Sequence, residues 1–246
     1  ALGNLAYEQG NWPEAERHWG EGLTHDKKLG RTNLQGIYLR RNLGVLVMSQ
    51  GRFDVANTHL NEALTLARDL NAVQVISETL TTLGQVANER GDYDQAKTYL
   101  DEALTLARDM NVPEAIVQAL SMFGYWAMSV NALSQSDVYL QEALAISQEV
   151  NLSWLETAVH LYLGEVHLKR NALSRAQQAF ETALETAVIL NMPEQQASAL
   201  YGLTRTIFST NVVQARHHAE ESVVIFEELG HFVGSQVRQW LADHAG

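Results

Sequence analysis

The strongest constraint on this chain is an internal repeat with a period of about 40 residues. NEALTLARDLNA begins at Asn61 and DEALTLARDMNV begins at Asp101, so two nearly identical segments lie 40 positions apart. A Leu-Gly or Phe-Gly pair follows the same period, at Leu2-Gly3, Leu43-Gly44, Leu83-Gly84, Phe123-Gly124 and Leu163-Gly164. A fixed period of this length is typical of stacked supersecondary units. The sequence therefore predicts a series of similar units.

Each unit is predicted to contain two helices, because apolar residues recur at helical spacing on either side of a turn. Glycine or asparagine, which adopt positive φ most readily, stands at two breaks in each unit. The first break falls at Gly10, Gly51, Gly91, Asn131 and Asn171, and the second at Gly30, Asn71, Asn111, Asn151, Asn191 and Gly230. Residues shortly after the first break are predicted to cap the second helices, namely Asp54, Asp94, Ser134 and Ser174.

Small residues recur in the second helix of each unit, on either side of a bulky apolar residue, as in Ala56, Leu60 and Ala63. A lone helical hairpin cannot bury its apolar face, so neighbouring hairpins must stack. Small side chains would let adjacent helices approach to the roughly 8–10 Å that is typical of helix packing. The recurring glycines and alanines are therefore interpreted as structural.

This order of Leu-Gly, then Gly, then Ala, a bulky apolar residue and Ala resembles the tetratricopeptide repeat. The best matching segments are LGNLAYEQGNWPEAERHW from Leu2 and LGQVANERGDYDQAKTYLDEAL from Leu83. The resemblance implies an all-α fold, a right-handed α-solenoid of six such helical hairpins plus a C-terminal helix. The repeats are longer than the usual ones, and in this they are similar to the class found in kinesin light chain, bacterial quorum-peptide receptors and maltose-activator-type regulators.

The pattern predicts a single solenoid over 1–246, with repeats at about 1–30, 31–71, 72–111, 112–151, 152–191 and 192–230, and a terminal helix at 231–246. The sixth repeat is degenerate, because Leu203 stands where glycine is expected and Arg205 stands at a position that is apolar in the other repeats. We call such a set of equivalent positions a column. One apolar stripe is expected to cover the last repeat, formed by Phe232, Val233, Val237, Trp240 and Leu241. The same stripe also fits the first helix of a further repeat.

The first helix begins partway through its repeat, so the chain is expected to be a fragment or a processed protein. Leu2 and Leu5 are then expected to lie uncovered, and an uncovered apolar face of this kind suits a homodimer.

Charge and composition narrow the class of partner. The formal net charge of −12 opposes binding to a phosphate backbone, and no basic run is present to overcome it. The sequence contains no cysteine, so disulfides and thiolate metal sites are excluded, and a cytoplasmic location is expected. No apolar run approaches the roughly 20 residues of a membrane-spanning helix.

No residue pattern indicates catalysis, and we expect a non-enzymatic protein without cofactor or metal. His160 and His167 lie two turns apart, too far for joint metal ligation without a third ligand, and occupy columns expected to be packed. His217 and Glu221 have the spacing of a surface pair. Trp19, Trp126 and Trp240 are expected in the core, whereas Trp154 could be exposed or packed.

The remaining candidate site is the concave wall, which the first helices line in proteins of this type. Positions three before, one after and four after each recurring glycine share one helical stripe. The stripe comprises Asn4, Tyr7, Arg41, Val45, Met48, Thr81, Gln85, Asn88, Ser121, Tyr125, Met128, Leu161, Glu165, Leu168, Leu200, Thr204 and Ile207. Amides and hydroxyls beside apolar groups suit an extended peptide or a helix. The alternative is that close stacking buries part of the stripe as core.

The leading hypothesis is a protein- or peptide-binding scaffold module within a larger regulatory or signalling protein. The alternative is a small-effector or signal-peptide sensor domain of a bacterial transcriptional regulator. Both hypotheses place the ligand in the groove formed by the first helices.

Overall fold

The computed structural model describes residues 2–28 and 33–244, and within them the chain forms thirteen α-helices. We call the first helix of each repeat an A helix and the second a B helix. The A helices are α1 (Leu2–Glu8), α3 (Leu34–Ser49), α5 (Val73–Glu89), α7 (Pro113–Ser129), α9 (Ser153–Lys169) and α11 (Pro193–Ile207). The B helices are α2 (Trp12–Lys28), α4 (Phe53–Asp69), α6 (Tyr93–Asp109), α8 (Leu133–Glu149), α10 (Leu173–Ile189) and α12 (Val212–Leu229). The last helix is α13 (Val233–Asp243), and the predicted all-α fold is confirmed.

The predicted turns lie where the glycine and asparagine columns place them. Positive φ angles occur at Gly10, Gly51, Gly91, Asn131 and Asn171 in the first column and at Asn71, Asn111, Asn151, Asn191 and Gly230 in the second. Gly30 lies outside the described residues. At Asn71, φ is 51°, and the following N–H, that of Ala72, donates to the Ala67 carbonyl at 2.9 Å. This bond closes the end of α4 in the manner of a Schellman motif.

The predicted helix caps were wrong. The four B helices concerned begin earlier than expected, at Phe53, Tyr93, Leu133 and Leu173, so the proposed capping residues lie inside the first turn. The N-cap of each of these helices is instead the residue that directly follows the glycine or asparagine with positive φ, because only this one residue lies between that glycine or asparagine and the helix. Only Asp92 among those four N-cap residues uses its side chain, which accepts from the Gln95 N–H at 3.3 Å.

The recurring glycine lets each A helix approach its own B helix. A β-carbon on Gly84 would lie 2.7 Å from Cδ2 of Leu100, and one on Gly164 would lie 2.6 Å from Cε1 of Phe180. Both distances are shorter than any ordinary carbon–carbon contact. The glycine column is therefore structural, as predicted.

The sixth hairpin follows a different register from the one predicted. Its A helix begins 40 residues after α9, but its B helix begins only 39 residues after α10. The missing residue therefore falls in the turn between α11 and α12, and Thr204 takes the glycine column in place of Leu203. The Thr204 hydroxyl donates to Leu200 O at 2.9 Å and also lies 3.2 Å from Ala215 O. Ala219 stands where earlier B helices carry tryptophan, leucine or phenylalanine, so the larger threonine fits.

The corrected register moves Arg205 as well. It belongs to the column of Val45, Gln85, Tyr125 and Glu165, one residue after the glycine position. The apolar column to which the sequence assigned it is occupied by Thr206, which is buried.

The helices group into two compact units, residues 1–130 and residues 131–246. In the first unit, α4 packs against α3 and α5, and α6 packs against α5 and α7. The A helices also contact one another, α3 with α5 and α5 with α7. In the second unit, α10 packs against α9 and α11, and α9 contacts α11. Each unit thus contains a layer of adjoining A helices, whereas a single solenoid over the whole chain stays a prediction.

The C-terminal helix covers the last hairpin, as its apolar stripe predicted. Val237 is fully buried in a cluster with Ala197, Ala219 and Phe226. The ring of Trp240 packs edge-on against Phe208, with centroids 5.1 Å apart. None of the described helices is both long and apolar enough to span a bilayer.

Candidate functional site

The stripe predicted as a binding wall is divided by burial into two classes. Accessible or partly accessible members are Asn4, Tyr7, Arg41, Val45, Gln85, Tyr125, Leu161, Glu165 and Leu168. Buried members are Met48, Thr81, Asn88, Ser121, Met128, Leu200, Thr204 and Ile207. The column directly after the glycine is accessible from α1 to α9, whereas the other two columns are buried in α5 and α7 and partly accessible at Tyr7, Arg41, Leu161 and Leu168. The expectation that stacking buries part of the stripe therefore applies to Met48, Thr81, Asn88, Ser121 and Met128. Leu200, Thr204 and Ile207 are buried because the predicted register of the sixth repeat was one residue too early, so these three residues lie beside the stripe.

The two predicted residues of α1 are held against α2. Asn4 Oδ1 accepts a hydrogen bond from Trp19 Nε1 at 2.9 Å. The ring of Tyr7 stacks on that of Trp12, with centroids 6.0 Å apart and planes 7° from parallel. These contacts lie within the first hairpin and serve its packing.

Polar side chains tie α5 to α7 in the first unit. The Tyr125 hydroxyl donates to Glu89 Oε1 at 2.7 Å. The Asn88 amide Nδ2 donates to Ser129 Oγ at 2.9 Å. Sequence reasoning missed Glu89 and Ser129, although each lies four residues after a predicted wall residue, Gln85 or Tyr125, and so continues the same helical stripe.

An ion pair joins α3 to α5 on the same layer. Arg41 Nε lies 3.6 Å from Glu78 Oε2, and both side chains are less than one-fifth exposed. The neighbouring Tyr38 has a raised pKa, first because burial disfavours the phenolate and then because Glu78 is negative, while Arg41 acts in the opposite direction. Arg41 is therefore already engaged with a carboxylate of its own chain.

The second unit carries a different tie between its A helices. Arg205 donates two hydrogen bonds to the carboxylate of Glu165, one of them from Nη1 to Oε2 at 3.1 Å. The Arg205 guanidinium also lies over the Tyr201 ring, 4.5 Å from its centroid. Burial raises the pKa of Tyr201, and the adjacent Arg205 opposes that rise. The predicted residue Glu165 is thus paired, and its partner was assigned to the wrong column by the sequence register.

The histidines occupy packed or surface positions. Burial lowers the pKa of His160, with Glu156 acting against it, and burial also lowers the pKa of His167. The His217 side chain is 67% exposed and lies 3.9 Å from Glu221. Among the described residues, no group of three or more potential ligands could hold a metal ion.

Two of the three tryptophans expected in the core are only partly buried. Trp19 is buried, whereas Trp126 and Trp240 stay partly exposed, and Trp126 Nε1 donates to Tyr93 O at 2.9 Å. Trp154, for which the sequence left both alternatives open, is 41% exposed.

Comparison with known proteins agrees with this architecture. Two models described as tetratricopeptide repeat match residues 1–69 and residues 77–110. No curated protein matches the chain significantly.

Several solved structures share the fold at low sequence identity. A Rap protein complexed with competence and sporulation factor is 15% identical, with a TM-score of 0.72 over 98% of this chain and 74% of its own. NprR in complex with its cognate peptide NprX is 11% identical, with a TM-score of 0.74 over 92% of this chain and 67% of its own. A STAND ATPase with a tetratricopeptide-repeat sensor, from Pyrococcus horikoshii, is 14% identical, with a TM-score of 0.65 over 88% of this chain and 32% of its own.

Proposed function

Because the chain belongs to the tetratricopeptide-repeat family, we propose that it is a non-enzymatic module that binds a peptide or a segment of another protein. The binding surface is the accessible column of the A helices in the first unit, formed by Val45, Gln85 and Tyr125. We call this column the wall.

The chemistry of the wall supports this proposal. Val45 can receive an apolar side chain, and the Gln85 amide offers both a donor and an acceptor to a peptide backbone. Tyr125 adds an aromatic face beside its hydroxyl. Adjacent packed helices lie about 8–10 Å apart, which is about three residues of extended chain at roughly 3.3 Å each. A segment crossing α3, α5 and α7 would therefore advance by about three residues from one wall residue to the next.

The observation that carries the proposal is the exposure of the wall beside buried neighbours. Thr81 and Asn88 on the same helix are buried, whereas Gln85 between them stays accessible. The packing of the A helices thus leaves the wall residues Gln85 and Tyr125 accessible between buried neighbours. A net charge of −12 favours protein or peptide partners over nucleic acid.

A regulatory role in the cytoplasm belongs to the same proposal. NprR, which has a similar fold, has been solved in complex with its cognate peptide. The alternative is a sensor domain for a small effector or signal peptide, which the likeness to the repeat sensor of the STAND ATPase supports.

Selection of peptides on the immobilised chain tests the proposal. A random 12-residue display library is panned, and selected peptides are mapped by hydrogen–deuterium exchange. We expect amide protection in α3, α5 and α7. Protection confined to B helices would contradict the wall as the site.

A thermal-shift screen separates the alternative. A ligand that binds only the folded state raises the melting temperature according to its concentration relative to Kd. Stabilisation by a metabolite, with no peptide selected, would favour the small-effector sensor over the peptide-binding module.

A further inference from the structure

One end of the fifth hairpin is apolar where the other hairpins carry polar or charged residues. Val188 and Ile189 are the last two residues of α10, and they are 55% and 80% exposed. The equivalent pairs in α4, α6, α8 and α12 are Arg68-Asp69, Arg108-Asp109, Gln148-Glu149 and Glu227-Glu228. Packing therefore does not require apolar side chains at these two positions, and the exposure of Val188 and Ile189 needs another explanation.

Trp154 and Leu190 lie at the same end of this hairpin. A β-carbon on Gly164 would lie 2.6 Å from Cε1 of Phe180, so these two positions face each other between the antiparallel helices α9 and α10. Trp154 precedes Gly164 by ten residues, and Leu190 follows Phe180 by ten. At about 1.5 Å per residue, both lie about 15 Å along the hairpin from that contact. Trp154 is 41% exposed and Leu190 is 42% exposed. We call these four residues the apolar end, namely Trp154, Val188, Ile189 and Leu190.

Glutamates flank the apolar end. The segments 149–156 and 181–194, which contain its four residues, carry five glutamates and no lysine or arginine. Glu185 is exposed and lies one helical turn before Ile189 on the same face of α10. Exposed apolar patches with a polar rim mark interaction sites. The charge of this rim therefore indicates which partner fits.

We propose that the apolar end binds an amphipathic helix of a partner protein, with large apolar side chains on one face and lysine or arginine beside them. The glutamates favour a basic partner by charge complementarity. They also disfavour nucleic acid, an anionic membrane and a second copy of this acidic chain at the same surface. The apolar end lies in the second unit and shares no residue with the wall, so this inference goes beyond the proposed function.

The backbone at the apolar end favours a helix over an extended segment. The Asn191 N–H donates to Val188 O at 3.2 Å, and the Met192 N–H donates to Ala187 O at 2.8 Å. These groups close the end of α10 and are not free to pair with a strand. A helix satisfies its own backbone hydrogen bonds and needs only side-chain contacts.

Three fluorescent 18-residue peptides test the proposal by anisotropy. The first carries leucine and lysine at helical spacing, and the second replaces every lysine with glutamate. The third has the composition of the first in an order without helical periodicity. We expect the first peptide to bind the native chain at least tenfold more tightly than either of the others.

The main variant, Val188→Arg with Ile189→Asp, gives α10 the Arg-Asp pair of α4 and α6 and leaves the net charge unchanged. The matched control, Val212→Asp with Val213→Arg, introduces the same residue types at the first two residues of α12, which are exposed valines. We expect the main variant to bind the first peptide at least tenfold more weakly, and the control to stay within twofold of the native Kd. The melting temperature of the main variant should not change.

Two single variants test the other parts of the surface. Trp154→Gln, which matches Gln74 at the equivalent position of α5, should weaken binding at least threefold. Peptide binding should also shift the tryptophan emission of the native chain to shorter wavelength, and Trp154→Gln should abolish this shift. Glu185→Gln should weaken binding at least twofold, because it removes one charge from the rim.

The opposite results would overturn the proposal. Equal affinity for the third peptide would show non-specific attraction by the acidic chain, and equal affinity for the second would show that the rim has no role. A lower melting temperature of the main variant would show that Val188 and Ile189 stabilise the fold, and retained affinity in that variant would place the peptide elsewhere.

The same variant distinguishes the other occupants. Dimers of the native chain in sedimentation velocity that the main variant converts into monomers would assign the apolar end to a second copy. Binding to phosphatidylserine vesicles that the main variant loses would assign it to a membrane. Loss of affinity in Gln85→Ala with Tyr125→Ala would assign the peptide to the wall, and each of these results would overturn the proposal.

Discussion

The hydroxyl of Tyr125 donates a 2.7 Å hydrogen bond to the carboxylate of Glu89 and so joins two A helices that are 36 residues apart in sequence at these positions. Both residues lie at the accessible edge of the layer, where a bound segment would pass. The bond therefore links the packing of α5 on α7 to the surface that we propose as the binding wall.

Tyr125→Phe tests this link. The substitution removes one partly buried hydrogen bond to a carboxylate and keeps the ring, so we expect a loss of about 1.5–3 kcal/mol in the free energy of unfolding. Urea denaturation measures this loss. The matched control is Tyr99→Phe in α6. Equal effects of the two substitutions would show that the bond to Glu89 contributes nothing specific.

Gly84→Ala tests the close approach of α5 to α6. The added β-carbon would lie 2.7 Å from Leu100, and overpacking of this kind costs about 1–3 kcal/mol. Gly20→Ala is the matched control, because a β-carbon there meets nothing within 4 Å. Alanine is the better helix former by about 1 kcal/mol, so this control should stabilise the protein. Destabilisation by Gly20→Ala as large as that by Gly84→Ala would contradict the packing argument.

The native pair of Thr204 and Ala219 extends this prediction. A larger residue in the glycine column is accommodated there by a smaller one on the B helix. Gly84→Ala combined with Leu100→Ala should therefore cost less than the sum of the two single changes. A double-mutant cycle measures the coupling energy, and strict additivity would contradict the exchange of volume between the two positions.

His160 predicts a dependence of stability on pH. Burial lowers its pKa in the folded state, whereas the unfolded value lies near 6.5. As pH falls, the His160 imidazole therefore takes up a proton in the unfolded chain before it does so in the folded chain, and the free energy of unfolding decreases below pH 6.5. Urea denaturation at pH 7.5 and 5.5 should show a smaller loss for His160→Gln than for the native chain. A single group changes the free energy of unfolding by at most about 1.4 kcal/mol per pH unit. An equal loss for His160→Gln and for the native chain would contradict the contribution of His160.

Self-association through α1 stays a prediction that the structure makes specific. Leu2 is 64% exposed and Leu5 is 51% exposed. If their side chains form a homodimer contact, sedimentation velocity at micromolar concentration should show dimers, and Leu2→Glu with Leu5→Glu should yield monomers. A native chain that stays monomeric over this range would refute the contact.

Much of the fold could be predicted from the sequence because its turns need particular residues. Asn71 and Gly91 have positive φ, which most side chains disfavour, so their columns mark the helix ends reliably. Gly84 recurs because Leu100 fills the space beside it. Both features are local or involve one neighbouring helix, and both leave a periodic signal in the sequence.

The remaining features depend on contacts between hairpins, which leave a weaker signal. The register of the sixth repeat was misread because the missing residue lies in a turn and not in α11, as the starting residues of α11 and α12 and the contact of Thr204 with Ala215 show. The burial of Asn88 and the exposure of Gln85 depend on how closely the A helices approach one another. No spacing rule within one helix could distinguish these two residues.

The most direct test of the binding wall is the affinity of a selected peptide for three forms of the chain. Gln85→Ala combined with Tyr125→Ala removes the two polar side chains of the wall. The control, Gln95→Ala combined with Tyr99→Ala, removes the same residue types from α6. By fluorescence anisotropy, we predict at least a tenfold weaker Kd for the first double variant, which corresponds to about 1.4 kcal/mol, with helical circular dichroism unchanged, and native affinity for the second. Native affinity in the first, or equal losses in both, would contradict the account.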